Sequence, residues 1–244
     1  MAHYGLPHDQ LIVGNDATGG DEEGGRGLSH VVPGYSAIVL TVDTPIRGQR
    51  LADTRNRFHV PPPLKRANFT DVENREMRIS DSLTWKDVKT LSRYPPPPSH
   101  PPFRFTRLPV LVKGIMRGDD AVEAVKSGVA GIIVSNHGGR QIDSGLATIQ
   151  ILEEIVTEVP VWMDGGIRSG RDVFKALALG AEGVFVGRPT LWGLAVAGSD
   201  GVAHVLSILR QELENTMRLA GCSTIEEIRK ADNVVVHKSF FARL

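Results

Sequence analysis

The sequence predicts an α/β fold, a (β/α)8 barrel of which about five βα units are present. Short apolar runs rich in Val, Ile and Leu alternate with amphipathic stretches, and the runs lack the polar alternation of a half-exposed strand. Landmarks at the ends of four runs, Lys113, Ser135, Asp164 and Gly187, are 22, 29 and 23 residues apart, a spacing typical of consecutive barrel units. The predicted strands cover residues 36–42, 109–112, 130–134, 160–163 and 183–186.

Amphipathic stretches between and after these runs predict helices over residues 119–126, 146–159, 171–179 and 202–219, and residues 82–87 open another. Residues 34–244 therefore form the predicted barrel domain, with a proline-rich insertion at 94–106 that we expect to be a surface linker. Residues 1–33 are polar and rich in glycine, and we expect an irregular or disordered segment there, without a strand or a helix.

Composition excludes several classes of protein. The 28 basic and 28 acidic residues balance to a net charge of zero, which argues against a nucleic-acid or anionic-membrane partner. One cysteine, Cys222, cannot form an internal disulfide and fits a reducing compartment. We see no secretory signal, and no apolar run approaches the roughly 18 residues of a membrane span. The ending Ala242-Arg243-Leu244 is similar to the S-K-L peroxisomal address.

Polar clusters fall at the predicted strand ends, where the catalytic groups of a barrel lie. The first strand runs into Thr41 and Asp43, and Arg50 follows in the loop. An aspartate could orient a histidine and an arginine could bind a carboxylate, but turn chemistry and a solvated loop explain these residues equally well. Lys113 ends the second strand, either as a rim residue or as a cation that stabilises a developing anion.

The third strand ends in the run Ser135-Asn136-His137-Gly138-Gly139-Arg140, which favours catalysis. Histidine is the usual general base near neutral pH, and adjacent glycines let the backbone approach a ligand. The next two strands end in Asp164-Gly165-Gly166-Ile167-Arg168 and Gly187-Arg188-Pro189. A glycine pair followed by an arginine at the mouth of a helix suits a phosphate-bearing ligand, without indicating which one.

Taken together, these motifs resemble the FMN-dependent 2-hydroxy-acid oxidases and dehydrogenases, which include glycolate oxidase. The resemblance covers residues 35–90 and 107–244 and implies FMN as cofactor. It implies His137 as the active-site base, Asp43 as its orienting carboxylate, and Arg50 and Arg140, with His137, as the substrate-binding residues. The implied cofactor-binding residues are Thr41, Lys113, Ser135, Asp164, Gly165, Gly166, Arg168, Gly187 and Arg188. No metal site is expected.

The implied reaction oxidises a small or medium (S)-2-hydroxy acid to the 2-oxo acid, with oxygen as acceptor giving hydrogen peroxide. We expect the protein in peroxisomes, or otherwise in the cytoplasm, and a homo-oligomeric state is a further expectation. Family members carry three further strands before the one that ends at Thr41, so the strands present here correspond to strands four to eight. Residues 1–33 contain nothing like those earlier strands. Two alternatives stay open: a catalytically inactive fragment of the family, or another phosphate-binding barrel enzyme.

Overall fold

The described strands form one parallel sheet. The computed structural model of the chain describes residues 11–14, 36–64, 81–92, 108–231 and 234–235. Six strands pair in chain order, each with the next. Among the described residues no pairing joins the first strand to the sixth, so the sheet is open. The strands are β1 (Leu11–Gly14), β2 (Ala37–Thr41), β3 (Val110–Ile115), β4 (Gly131–Val134), β5 (Val161–Met163) and β6 (Gly183–Val184).

Seven helices lie in the described residues, and most of them follow a strand, as a βα arrangement requires. They are α1 (Leu51–Asn56), α2 (Trp85–Ser92), α3 (Gly118–Lys126), α4 (Thr148–Ile155), α5 (Gly170–Ala178), α6 (Arg188–Ala220) and α7 (Ile225–Lys230). The five strands and the helix starting near residue 82 that the sequence predicts are confirmed, with ends that differ by up to three residues. Parallel strands alternating with helices match a partial α/β barrel.

Strand β1 corrects the expectation for the N-terminal segment. Residues 1–33 were expected to lack regular structure, yet Leu11–Gly14 pairs in parallel with β2, and Leu11 lies opposite Ala37. A run of only four residues inside a polar, glycine-rich stretch gives too short a pattern to predict, and its pairing comes from the neighbouring strand. The prediction is wrong at these four residues. The rest of that segment, the proline-rich insertion at 94–106 and the C-terminal tripeptide lie outside the described residues.

The two faces of the sheet carry separate apolar clusters. One face packs under the helices: its residues Val112 and Ile132 are fully buried in one cluster with Leu152 of α4. The other face holds a smaller cluster of alternate strand residues. Its members are Ala37, Val39, Leu111 and Ile133, with Trp162 and Phe185 packed against them. Strand residues alternate between faces, so the residues two positions further along lie on this second, inner face as well.

Helix α6 begins earlier than predicted. A helix was expected from residue 202, but it starts at Arg188, directly after β6, with a bend at Ala197 and Gly198 where the backbone is not helical. Gly193 and Gly201 lower the helix propensity of this stretch, yet in the structure their backbones contact each other closely across the bend. Small residues at such a crossing allow the approach.

Length and composition alone would also allow α6 to cross a membrane. The bend at Ala197 divides it, however, and its second half packs on α5 through residues that include Leu213 and Met217. Such packing is that of a helix in the outer layer of a barrel. The absence of a membrane partner therefore stays a prediction from the sequence.

Candidate active site

Five predicted site residues share the inner face of the sheet. Each comes two positions after a residue of the inner cluster or one packed against it, at or just after the carboxyl ends of five neighbouring strands: Thr41, Lys113, Ser135, Asp164 and Gly187. The period of two along a strand places them on one face, and the parallel direction places them at one edge of the sheet. These polar residues therefore follow the inner apolar cluster along the strands, and together they form the mouth of the sheet, where the candidate site lies.

The pair formed by His137 and Asp43, called the histidine pair below, lies at the centre of this mouth. His137 Nδ1 lies 3.0 Å from Asp43 Oδ1, with side chains 16% and 12% exposed respectively. Thr44 Oγ1 donates to the same Asp43 oxygen over 3.1 Å and lies 3.5 Å from His137 Nδ1. Because a carboxylate only accepts, Asp43 favours the proton on Nδ1 and leaves Nε2 of His137 available. The arrangement is that of a histidine oriented by a buried carboxylate.

The turn that carries the histidine is tight. His137 has a φ of 55°, a left-handed conformation, and Gly138 and Gly139 follow at 65° and 73°. The buried Ser135 Oγ accepts a hydrogen bond from the His137 N–H over 3.0 Å, and Arg188 donates to the Gly138 carbonyl. Three consecutive positive φ values explain why glycine follows the histidine twice.

A second ion pair lies beside the histidine pair. Lys113 Nζ is 3.5 Å from Asp164 Oδ2, with side chains 13% and 19% exposed. Thr148 Oγ1 donates to the Asp164 carbonyl over 2.6 Å, which ties the start of α4 to the end of β5. Of the two carboxylate oxygens of Asp164, Oδ1 is buried without a partner, as is the hydroxyl of Thr41. Both atoms are free to bind a polar ligand.

Three arginines gather at the open side of the mouth. Arg50 has a buried Nε without a partner. Burial lowers the pKa of Arg50 below its usual range, and the cations of Arg140 and Arg47 lower it further, against Asp53, which raises it. Arg47 and Arg50 also line the same cavity as His137. An anion placed among them would relieve the repulsion.

The predicted phosphate site differs from expectation at the start of α5. The backbone N–H groups of Arg168 and Ser169 donate to Asp172 Oδ2 over 3.0 and 2.9 Å, and the N–H of Gly170 donates to Glu212 Oε2 over 2.8 Å. Carboxylates of the chain thus occupy the helix terminus that was expected to bind a phosphate. The glycines of the preceding loop and the exposed Arg168 side chain stay available.

Two glycines of the predicted phosphate site leave space for a ligand. A Cβ added at Gly166 or Gly187 would meet no atom within 4 Å, whereas one at Gly165 would lie 3.2 Å from Asn136 Oδ1. The open positions are those where a ligand could approach the backbone. No cluster of histidine, cysteine and carboxylate side chains that could hold a metal occurs in the described part of the chain.

A family of known proteins matches most of this chain. The model of a family described as FMN-dependent dehydrogenase matches residues 30–235. The chain belongs to this family. The resemblance stated from the motifs is thereby confirmed, and FMN is the cofactor of the family.

Members of the FMN-dependent dehydrogenase family are similar to this chain over most of its length. The chain is 49% identical over 215 residues to glycolate oxidase 3 of Oryza sativa, covering 81% of this chain and 56% of the relative. It is 49% identical over 218 residues to 2-hydroxyacid oxidase 1 of Mus musculus, again covering 81% and 56%. The chain thus spans little more than half the length of these relatives.

Solved structures of the same family confirm the fold class. A mandelate oxidase variant with (S)-mandelic acid aligns with a TM-score of 0.69 and 44% identity, over 81% of this chain and 54% of that one. Another variant, solved with an FMN adduct, aligns with a TM-score of 0.68, 44% identity and coverage of 81% and 55%. The sheet is accordingly part of a (β/α)8 barrel.

Four contributors to the site were not predicted. They are Thr44, Gly114, Gln141 and Thr148. Thr44 stands inside the Thr41–Pro45 motif and Gln141 directly follows Arg140, so both were in view without an assigned role. Gly114 marks a register shift between Lys113 and Ile115, and a lone glycine within a strand is the usual signal of such a bulge.

Proposed function

We propose that this chain carries the active site of an FMN-dependent 2-hydroxy-acid oxidase. The substrate is a small or medium (S)-2-hydroxy acid, the product is the 2-oxo acid, and oxygen is the acceptor, giving hydrogen peroxide. The single observation that carries the proposal is the His137–Asp43 pair, 3.0 Å apart at the mouth of a sheet whose inner edge also holds Lys113. The named activities of the relatives support it.

The residues present fit FMN. The buried hydroxyl of Thr41 and the buried Oδ1 of Asp164 lack protein partners, and a flavin ring offers both donors and acceptors. Lys113 brings a cation to the same edge, where it stabilises negative charge on a ring. Gly165, Gly166, Gly187 and Arg188 would hold the ribityl chain and phosphate, with the side chain of Arg168 completing the site and the hydroxyl of Ser135 facing the ring.

FMN, when bound, supplies the acceptor for the two electrons that leave the 2-carbon. The chain manages the protons and the position of the substrate. Nε2 of His137 takes one proton from the substrate, and the carboxylate of Asp43 stabilises the imidazolium that results. Arg50 and Arg140 bind the substrate carboxylate, which holds the 2-carbon beside the histidine. Two electrons and two protons then reduce oxygen to hydrogen peroxide.

The direct test is an absorbance spectrum of the purified chain with and without added FMN. The proposal expects bound flavin that is bleached under anaerobic conditions by glycolate, lactate or mandelate, followed by peroxide formation when air is admitted. The variant His137→Gln should bind FMN and stay yellow. Protein that takes up no FMN would refute the proposal.

One observation favours a second candidate, an inactive family fragment. In the described part of the chain, no pairing between the first and the sixth strand closes the sheet. Bound FMN without bleaching by any of the three acids, in a monodisperse sample, would favour this candidate.

The ending Ala242-Arg243-Leu244 leads us to propose delivery to peroxisomes. A fluorescent protein bearing this ending should enter peroxisomes and the same fusion without the last three residues should not. Two further statements stay predictions: that the protein is a homo-oligomer, which gel filtration would test, and that it binds no nucleic acid, which a binding assay would test.

A further inference from the structure

We propose that Gln141 is a positioning residue, which fixes the loop of residues 45–50 against the histidine turn and so sets the spacing of Arg50 and Arg140. The inference rests on the proposed function, because the two arginines are there assigned to the substrate carboxylate. It adds a residue that neither the motifs nor the family resemblance assigns.

The first support is a hydrogen bond between distant parts of the chain. The backbone N–H of Gly48 donates to Gln141 Oε1 over 2.9 Å, and the two residues are 93 positions apart. Between residues 45–50 and 138–147, this is the one hydrogen bond that the described part of the chain shows. Gly48 stands two positions before Arg50, and Gln141 directly follows Arg140. The bond therefore joins the backbones that carry the two arginines.

The second support is the close approach of the two backbones. A Cβ added at Gly48 would overlap the carbonyl oxygen of Arg140 and the side-chain oxygen of Gln141, and would lie 2.7 Å from Gln141 Cα. The loop thus lies directly on the backbone at Arg140 with no space for a side chain. The close backbone approach and the hydrogen bond meet at the same side chain, Gln141, and together they fix the loop against the turn.

The third support is electrostatic. The cation of Arg140 on the turn repels Arg50 on the loop and lowers its pKa further than burial alone does, and this repulsion would push the loop away from the turn when no anion lies between them. An amide oxygen accepts the Gly48 N–H without adding charge. A carboxylate at this position would hold the loop equally well but would neutralise a cation that the substrate needs. A neutral acceptor is the side chain that meets both demands.

The test compares four proteins in the FMN-loaded form: wild type, Gln141→Ala, Gln141→Glu and Gln49→Ala. Gln49 is an exposed residue of the same loop and serves as the matched control. Two readouts are measured: hydrogen exchange at the Gly48 amide, and the dissociation constant of oxalate followed by the change in flavin absorbance.

Gln141→Ala should lose the exchange protection of Gly48 and bind oxalate about tenfold more weakly, which corresponds to about 1.4 kcal/mol. FMN affinity should stay within about twofold of wild type, because the loop contacts the carboxylate and not the flavin. Gln141→Glu should keep the Gly48 protection yet also weaken oxalate binding, since its charge competes with the ligand. If Gln141 only stabilised the fold, Gln141→Ala would weaken FMN binding and oxalate binding together, and that result would overturn the inference.

A double-mutant cycle adds a second route. Gly48→Ala breaks the same contact from the loop side, because its Cβ would overlap Gln141 Oε1 and the Arg140 carbonyl oxygen, so its effect on oxalate affinity should not add to that of Gln141→Ala. Additive effects would overturn the inference. Unchanged oxalate affinity and Gly48 protection in Gln141→Ala, in a protein that binds FMN and oxalate normally, would overturn it while leaving the proposed function intact. Wild type that takes up no FMN would refute the proposed function, and Gly48 exchange in unloaded protein would still decide the contact.

Discussion

Gly114 leaves space for the side chain of Asp43, and Gly114→Ala should therefore break the contact between Asp43 and His137. The φ of Gly114 is +111°, and a Cβ there would lie 2.5 Å from Asp43 Cβ, 2.7 Å from Cγ and 2.9 Å from the backbone N. Ordinary contact begins near 3.4 Å, so the Asp43 side chain must retreat by about 0.9 Å at Cβ and by about 0.7 Å at the carboxylate carbon. A retreat of that size away from His137 stretches the 3.0 Å contact beyond hydrogen-bonding range.

The expected magnitude follows from these distances. Misplacement of a catalytic group by about 1 Å costs roughly 100-fold in rate. A positive φ forced on alanine costs about 1–2 kcal/mol of folding free energy, and overlap adds about 1–3 kcal/mol. Gly128→Ala is the matched control, because φ is +84° there but the nearest atom to an added Cβ is 4.0 Å away.

The assay is the anaerobic bleaching rate of bound FMN by glycolate, with urea unfolding of both variants at pH 7. Both alanines should lower the free energy of unfolding, whereas only the one at position 114 should slow bleaching. Equal bleaching rates in the two variants would refute the claim that the bulge positions Asp43.

Three further expectations concern other parts of the chain. Asp43→Asn should slow bleaching about 100-fold with FMN affinity unchanged, because His137 loses the carboxylate that stabilises its cation; an unaltered rate in stopped-flow would contradict this role. Thr84→Ala should lower the free energy of unfolding by about 1 kcal/mol at pH 7, because it removes the hydrogen bond that the Thr84 hydroxyl donates to Asp87 Oδ2 at the start of α2. This hydroxyl and the Thr84 N–H hold the pKa of Asp87 below its usual value, so the stability they give is present above the usual pKa and is lost as the pH falls through the lowered one. Urea titrations at pH 7 and pH 3 should thus show a smaller difference between variant and wild type at pH 3, and an equal difference would count against this hydrogen bond. Thr148→Val should lower the free energy of unfolding by about 1–3 kcal/mol, measured by urea, because it leaves a buried carbonyl at the end of β5 without its donor; a neutral effect would show that water replaces the hydroxyl.

The barrel strands and the histidine run were predictable because both depend on local patterns. A continuous apolar run such as the one before Ser135 predicts a buried parallel strand, and polar residues at its end predict the site. His137 and Asp43 were assigned through the resemblance, and the structure brings them within 3.0 Å. Their roles stay proposals.

What escaped prediction depends on distant contacts. The Gly48–Gln141 hydrogen bond joins residues 93 positions apart, which no local pattern records. The carboxylates of Asp172 and Glu212 occupy the start of α5, and the second of these comes from α6, more than one βα unit away. Glycines in α6 hid its first half because a glycine at a helix crossing looks like a glycine in a loop.

The chain order of the paired strands also implies an order of assembly. Leu111 pairs with Gly131 and Trp162 with Gly183, about 20 positions apart, whereas Ile38 pairs with Val110 across 72 positions. Closing the longer loop costs about 1 kcal/mol more in chain entropy. Strands β3 to β6 should therefore pair with one another before β2 pairs with β3.

That order separates the two ion pairs in time. Lys113 and Asp164 both belong to the early block, so their contact can form as soon as β3, β4 and β5 are aligned. His137 must wait for Asp43, which arrives only with β2. A folding intermediate would thus contain the Lys113–Asp164 ion pair while His137 still lacked Asp43. A chain that stopped at that stage would have helical structure but no catalytic activity.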